Sequence, residues 1–145
     1  MKLSTRSRYG LRAMCHLVAR NGGLTTCSDI ASEMDVSKKY LDSILGSLSK
    51  AGILDADRGV GGGYRISGNP REITCAQVLA ALGEHVDLVP CVSMSGDCAK
   101  AGTCATSAVW RAMADASRQV LMQLSVSDLE GLPPNLEVEV KVRRD

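Results

Sequence analysis

Between Thr26 and Ile66 the apolar period of the chain switches from helical to alternating, and that switch, with its punctuation, restricts the fold more than any other feature. Thr26-Cys27-Ser28-Asp29 matches the Ser/Thr-x-x-Asp/Glu capping pattern and opens a short helix with Ile30 and Met34 inward. Asp35-Val36 then turns the chain. Ser37 can cap a further helix in which Leu41, Ile44, Leu45 and Leu48 stand at i, i+3, i+4 and i+7, ending near Ala51-Gly52. Ile53 to Asp57 and Tyr64 to Ile66 read as two short strands that bracket Arg58-Gly59-Val60-Gly61-Gly62-Gly63, a tip whose glycines allow positive φ and close backbone approach. Upstream, Tyr9, Ala13, Met14, Leu17 and Val18 recur at helical spacing, so residues 5–19 form an amphipathic first helix stopped by Asn21-Gly22-Gly23.

Two helices joined by a tight turn and followed by a glycine-tipped hairpin make a winged helix-turn-helix. The same pattern also describes two helices that merely pack, so charge has to decide. Residues 1–65 carry ten Lys/Arg against six Asp/Glu, whereas residues 66–145 carry seven against ten. Lys2, Arg6, Arg8, Arg12 and Arg20 come before the first acid, which leaves a cationic face on the first helix suited to phosphate, or simply a solvated basic face. The second helix of such a pair lies in the major groove with its N-terminal residues against base edges, here Ser37, Lys38, Lys39, Tyr40 and Asp42. Lys donates to guanine or phosphate, Ser and Tyr bond phosphate, and Asp42 is suited to accept from cytosine N4. Arg58 and Gly62 belong to the wing, where an arginine can enter a narrow minor groove. The glycines match neither G-x-G-x-x-G nor the P-loop pattern, and three Tyr, one Trp and no Phe are too few for a single-strand stacking platform. The expected partner is duplex DNA.

The 145 residues contain six cysteines. Cys91, Cys98 and Cys104 fall in one loop, C-V-S-M-S-G-D-C-A-K-A-G-T-C. Zinc is typically gripped by cysteines separated by about two to four residues, and these intervals are longer. An iron-sulfur cluster held by three thiolates is the better candidate, open at one iron to chemistry. Cys15, Cys27 and Cys75 lie in helical segments and read as small hydrophobes. No window approaches the length of a membrane span, and no apolar signal core follows the basic N-terminal residues, so the expected compartment is the reducing cytoplasm, without a membrane partner.

Beyond the loop, Val109, Ala112, Met113, Ala116, Val120 and Leu124 make a helical stripe of about five turns with Arg111, Asp115 and Arg118 off it. It must be buried, either in the chain's own core or against a second copy. Past Pro133-Pro134, L-E-V-E-V-K-V alternates with period two, which suits an added strand or a loose extension.

The stretches K-L-S-T-R-S-R-Y-G-L-R-A-M, I-A-S-E-M-D-V-S-K-K-Y-L-D-S-I-L-G-S-L-S-K-A-G-I-L, R-G-V-G-G-G-Y-R-I and I-T-C-A-Q-V-L-A-A-L together resemble the IscR/NsrR superfamily of bacterial winged-helix transcriptional regulators, over residues 2–132. The resemblance implies a homodimer with two DNA-reading heads, a long dimerisation helix, a palindromic operator and a cluster on the three loop cysteines, either 4Fe-4S, which is favoured, or 2Fe-2S. It also implies a fourth ligand that is missing here. Where the iron-sulfur-biogenesis branch has a histidine three residues after the last cysteine, this chain has Ser107; where the nitric-oxide-sensing branch has an aspartate in the first helix, it has Arg8. Glu84, His85, Asp87, Asp97 and Ser107 are the nearby candidates.

The expected fold is therefore mainly α with a small β-wing. Residues 1–83 form the winged helix-turn-helix head, 84–106 the cysteine loop, 107–132 the dimerisation helix and following segment, and 133–145 a tail. The expected function is an iron-sulfur-controlled transcriptional regulator, with a thiol-redox or zinc-responsive regulator of the same fold as the alternative. No Ser/His/Asp set, paired-carboxylate motif or Cys/His nucleophile pattern points to an enzyme.

Overall fold

The computed structural model of the chain describes residues 3–85, 89, 98–100 and 103–142. Helix α1 spans Thr5–Val18, α2 Cys27–Met34 and α3 Lys38–Lys50; strands β1 (Leu54–Asp57) and β2 (Gly63–Ile66) form an antiparallel pair, followed by α4 (Cys75–Ala81), α5 (Ser107–Gln123) and a 3-10 helix at Val126–Glu130. The mainly helical fold with a small wing is thus the one expected. Among the described residues no helix is long and apolar enough to cross a membrane.

Local chemistry accounts for each helix start. Ser4, Thr26, Ser37 and Thr74 are N-caps in extended conformation whose side chains accept from the backbone N–H three residues on. Thr74 and Gln77 complete a reciprocal capping box. Asp35 ends α2 in the left-handed region at φ 54°, a conformation that Asp tolerates better than most residues, and so permits the tight turn into α3.

Leu41, Ile44, Leu45 and Leu48 of α3 are fully buried, together with Met14 of α1 and Ile30 of α2. Each such side chain contributes about 1.5–3 kcal/mol through removal from water. Helix α3 packs on α1, α2, α4 and β1, which makes it the hub of the head.

Two connections lie beyond the reach of periodicity. Thr25 bridges Tyr64 through paired backbone bonds of 3.0 and 2.8 Å, so β2 is clamped between β1 and the residue before the α2 cap. Thr74 bridges Ser125 in the same way: Cys75 N–H donates to the Leu124 carbonyl and Val126 N–H to that of Ile73, each at 2.8 Å. The second bridge returns the chain after α5 to the head, where Val126 is fully buried and the 3-10 helix packs on α1. Leu124, expected as the last member of the α5 stripe, is instead an extended residue bonded to the start of α4.

Gly63 belongs to β2 rather than to the tip, because it lies directly against Thr25. A Cβ at Gly63 would stand 2.3 Å from the Thr25 carbonyl oxygen, a backbone atom that cannot rotate away, whereas one at Gly46 in α3 would meet nothing within 4 Å. Gly63→Ala is expected to destabilise the head by about 1–3 kcal/mol and Gly46→Ala to stabilise it by about 0.5–1 kcal/mol. Urea denaturation of the two variants beside the parent checks both signs.

Candidate nucleic-acid interface and cysteine loop

The N-terminal turn of α3 and the wing line one open cleft, shared by Lys38, Asp42, Lys50, Arg58, Gly62 and Tyr64 among others. Ser37, Lys38, Lys39, Asp42 and Arg58 are exposed. Val60 stands at the wing tip, fully exposed between Gly59 (φ 104°) and Gly61 (φ 78°). The tip closes through a 3.0 Å bond from Gly62 N–H to the Gly59 carbonyl, and a Cβ on Gly62 would stand 2.3 Å from the Asp57 carbonyl oxygen. Gly62 is therefore required by the turn itself. Along the hairpin, Arg65 lies between Asp55 and Asp57, at 3.5 and 3.7 Å.

Asp42, read from sequence as an acceptor for cytosine, accepts through Oδ1 from the Tyr64 hydroxyl at 3.1 Å and so ties α3 to the wing. Burial and this bond to a carboxylate push the Tyr64 phenol up to about 12, so it stays a donor across the physiological range. Tyr40 is half-buried, its ring edge-on to Tyr9 with centroids 6.0 Å apart, and Arg12 sits over the other partner's ring, 5.4 Å from the Tyr9 centroid.

The cationic face expected on α1 is largely occupied by internal contacts. Arg6 donates to Ser43 Oγ, the Ser43 carbonyl and Ser47 Oγ, clamping α1 to α3. Arg20 pairs with Glu33, which also meets His16 at 2.8 Å. Arg8 is exposed and donates to Thr5 Oγ1 within its own turn. Lys2 lies outside the described residues. Lys50, overlooked in the sequence because it sits at the C-terminal end of α3, lines the same cleft as Lys38 and Arg58.

The described parts of the cysteine loop are its two ends. At the entry, Glu84 Oε2 accepts from Ser4 N–H and from the hydroxyls of Ser4 and Ser7, fastening the end of α4 to the start of α1. These bonds from Ser4 and Ser7 hold the Glu84 carboxyl below its ordinary range. His85 follows, exposed. At the exit, Cys104 is exposed; its Sγ lies 3.1 Å from Thr106 Oγ1. Hydrogen bonds from the Thr106 hydroxyl and the backbone N–H groups of Thr106 and Ser107 lower the Cys104 thiol pKa. Ser107 Oγ donates to the Cys104 carbonyl at 2.7 Å and is buried. Cys98 is partly buried, while Cys91, Asp87 and Asp97 lie outside the described residues. Among the described residues no three His, Cys, Asp or Glu groups converge as a metal site.

The remaining thiols are of another kind. Burial pushes up Cys15 and Cys27, and Cys75 rises to about 11 through burial, with Cys15 adding to the effect. Cys27 donates to the Lys38 carbonyl at 3.6 Å beneath the cleft.

Helix α5 shows three faces. Ser107 and Ala114 are buried; Gln119 and Gln123 bond the tail; Val109 (54 % exposed), Met113 (47 %), Ala116 and Val120 lie along one side, the first two open to solvent.

Residues 3–130 match the Rrf2 family model, described as an iron-dependent transcriptional regulator. The HTH-type transcriptional regulator IscR of Photorhabdus laumondii is 34 % identical across the whole chain, which spans 87 % of that relative. Among solved structures, CymR, the global cysteine regulator of B. subtilis, superposes with a TM-score of 0.73 at 29 % identity, covering 90 % of this chain and 96 % of its own. IscR of T. potens gives 0.69 at 26 %, covering 89 % and 85 %. With its wing, its capped α3 and a family match over nearly its full length, the chain belongs to the Rrf2 family of transcriptional regulators, which bind DNA and are not enzymes.

Proposed function

We propose that this chain is a homodimeric regulator whose two heads read a palindromic operator, and whose operator binding is set by an iron-sulfur cluster on Cys91, Cys98 and Cys104. The observation that carries the reading is the anchoring of the loop. One end is tied to the head at Glu84, and at the other the Ser107 hydroxyl, in the first turn of α5, donates to the Cys104 carbonyl. Whatever the loop holds therefore acts between the DNA-reading unit and the helix that carries the exposed Val109 and Met113 side. A two-fold dimer through that side presents the two recognition helices to successive half-sites.

Three cysteines with a thiol already biased toward thiolate are a suitable donor set for a cluster. When bound, the cluster supplies an iron centre responsive to oxygen, nitric oxide or iron supply. The protein's own contribution is positional. Glu84 keeps the loop entry against α1, Thr106 holds Cys104 as an acceptor of hydrogen bonds, and Ser107 fixes the first turn of α5. Ligation by Glu84 would require it to release its bonds to Ser4 and Ser7, and Ser107 would have to leave the Cys104 carbonyl. His85 is exposed at the loop entry and is the preferred fourth ligand. Loosening the loop would let head spacing, and hence operator choice, change.

A cluster-free thiol switch is the second reading, favoured by the exposed, acidified Cys104 and by the likeness to a cysteine regulator. Anaerobic purification followed by iron and sulfide counts and visible spectra separates the two. Cys91→Ala, Cys98→Ala and Cys104→Ala are each expected to abolish the cluster, while Cys15→Ala, Cys27→Ala and Cys75→Ala retain it; parent protein without iron or sulfide under those conditions sinks the first reading.

On the DNA side, Lys38→Ala and Lys39→Ala should each reduce the slope of log affinity against log salt by about one, as for a lost phosphate contact. Arg58→Ala should weaken operator binding through loss of the wing charge. Titrations at several salt concentrations measure all three.

In the metal-free protein, Thr106→Val should raise the Cys104 pKa, since the thiolate loses a hydrogen-bond donor. Less thiolate is then present at neutral pH, and the iodoacetamide reaction profile of Cys104 shifts to higher pH. An unchanged profile would show that Thr106 does not tune this thiol.

A further inference from the structure

The tail after Pro133-Pro134 lies beside α5 with neither helix nor strand among the described residues, and its bonds to that helix recur at residues 139 and 141, the two-residue spacing of an extended segment. Lys141 N–H donates to Gln119 Oε1 and Gln119 Nε2 donates back to the Lys141 carbonyl, both at 3.1 Å. Gln123 Nε2 reaches the Glu139 carbonyl at 3.4 Å. The two glutamines thus bond three backbone groups on one edge of the tail, the edge of residues 139 and 141. In an extended chain the groups of residues 138, 140 and 142 point to the opposite edge. Leu136, Val140 and Val142 are exposed, an unusual state for an alternating apolar edge, which ordinarily pairs or carries a blunting device.

We infer that residues 138–142 are a self-complementary edge strand that pairs antiparallel with the same segment of a second copy, centred on Val140. This inference rests on the dimer proposed above and adds a second interface element to it. In that register Val140 faces Val140 of the second copy, and Val138 faces Val142 twice, on one side of the ribbon. On the other side Glu139 faces Lys141 twice, so all charges directly opposite are of opposite sign. The hydrogen-bonded pairs are those of residues 138, 140 and 142, whose groups point away from the glutamines. A register shifted by two residues sets Val138 against Val140 and Glu139 against itself, placing like charges together, so the sequence selects the centred one. The location also fits: at roughly 100° per residue, Gln119 and Gln123 occupy the sector of α5 that adjoins Ala116 and Val120, so the tail borders the side left open for a partner.

Sedimentation of the full chain over a range of concentrations tests the pairing. Glu139→Lys and Lys141→Glu each turn two attractive cross-strand pairs repulsive and are expected to raise the dimer dissociation constant about tenfold. The double variant exchanges both charges and is expected to return it to within about twofold of the parent, as complementary pairs re-form. Single variants without effect, or a double variant no better than the singles, overturn the pairing; the latter result would assign the effect to the groove beside Asp115 and Arg118. A benzophenone amino acid at position 140 is an independent check, expected to cross-link one chain to residues 138–142 of another, and cross-links confined to its own α5 overturn the proposal. Failure of the dimer reading itself looks different: a parent chain that stays monomeric throughout, or a Val109→Glu/Met113→Glu variant that dimerises as the parent does.

Discussion

Helix α3 has to be apolar along one face and chemically free along the other, and the rest of the head is arranged around that requirement. Leu41, Ile44, Leu45 and Leu48 fix its rotation, because turning it by one residue would expose buried leucine and bury lysine. Its axial position is held by polar contacts at its flank: Arg6 grips Ser43 and Ser47 from α1, and Tyr64 reaches Asp42 from the wing. Lys38 and Lys39 are left outward as the consequence of contacts made elsewhere, and the groups proposed to contact DNA need no strain to be displayed. The wing follows the same logic, since the Thr25 bridge that Gly63 permits sets the hairpin's height relative to α3.

Much of this was legible in the sequence. The caps at Thr26 and Ser37, the turn at Asp35 and the glycine-tipped hairpin depend on local chemistry that residue identity reports directly, and all four are present as read. The pairing of Thr25 with Tyr64 and of Thr74 with Ser125 is not local: a single bridging residue leaves no alternating pattern, so nothing in the sequence could announce it. The basic residues in and just after α1 were the least legible part. Arg6, Arg12 and Arg20 look identical as a charge count, yet one clamps a neighbouring helix, one lies over an aromatic ring and one pairs with Glu33, and only packing distinguishes these uses. The bond from the Tyr64 hydroxyl to Asp42 is equally silent in the sequence, because it joins two elements that no local pattern relates.

The cysteines divide by environment in a way their spacing only partly anticipated. Cys15, Cys27 and Cys75 are suppressed as nucleophiles by burial, whereas Cys104 is held near the start of a helix by donors that favour its anion. The hydroxyl of Thr106, which produces much of that bias, carries no signature in the sequence because any neighbouring Ser or Thr would look the same. The chain thus keeps the less acidic thiols in its head and a more acidic one at the entrance to α5, the arrangement that the proposed function would use.

The attachment of α5 gives that joint its direction. At its C-terminal end the chain is locked to the head by two backbone bonds across Thr74 and Ser125, by the buried Val126 and by the 3-10 helix against α1. At its N-terminal end the attachment runs through Ser107 and the cysteine loop, whose other end is fixed to α1 through Glu84. Under the proposed function, two unequal attachments would make a lever: a change in the loop would move the N-terminal end of α5, with the Leu124 end as the pivot. Under the proposed dimer, the exposed side at Val109 and Met113 lies toward the moving end, and the tail held by Gln119 and Gln123 lies toward the pivot. Contacts near the pivot can then persist while those near the loop rearrange, so a single assembly can carry two head spacings without coming apart.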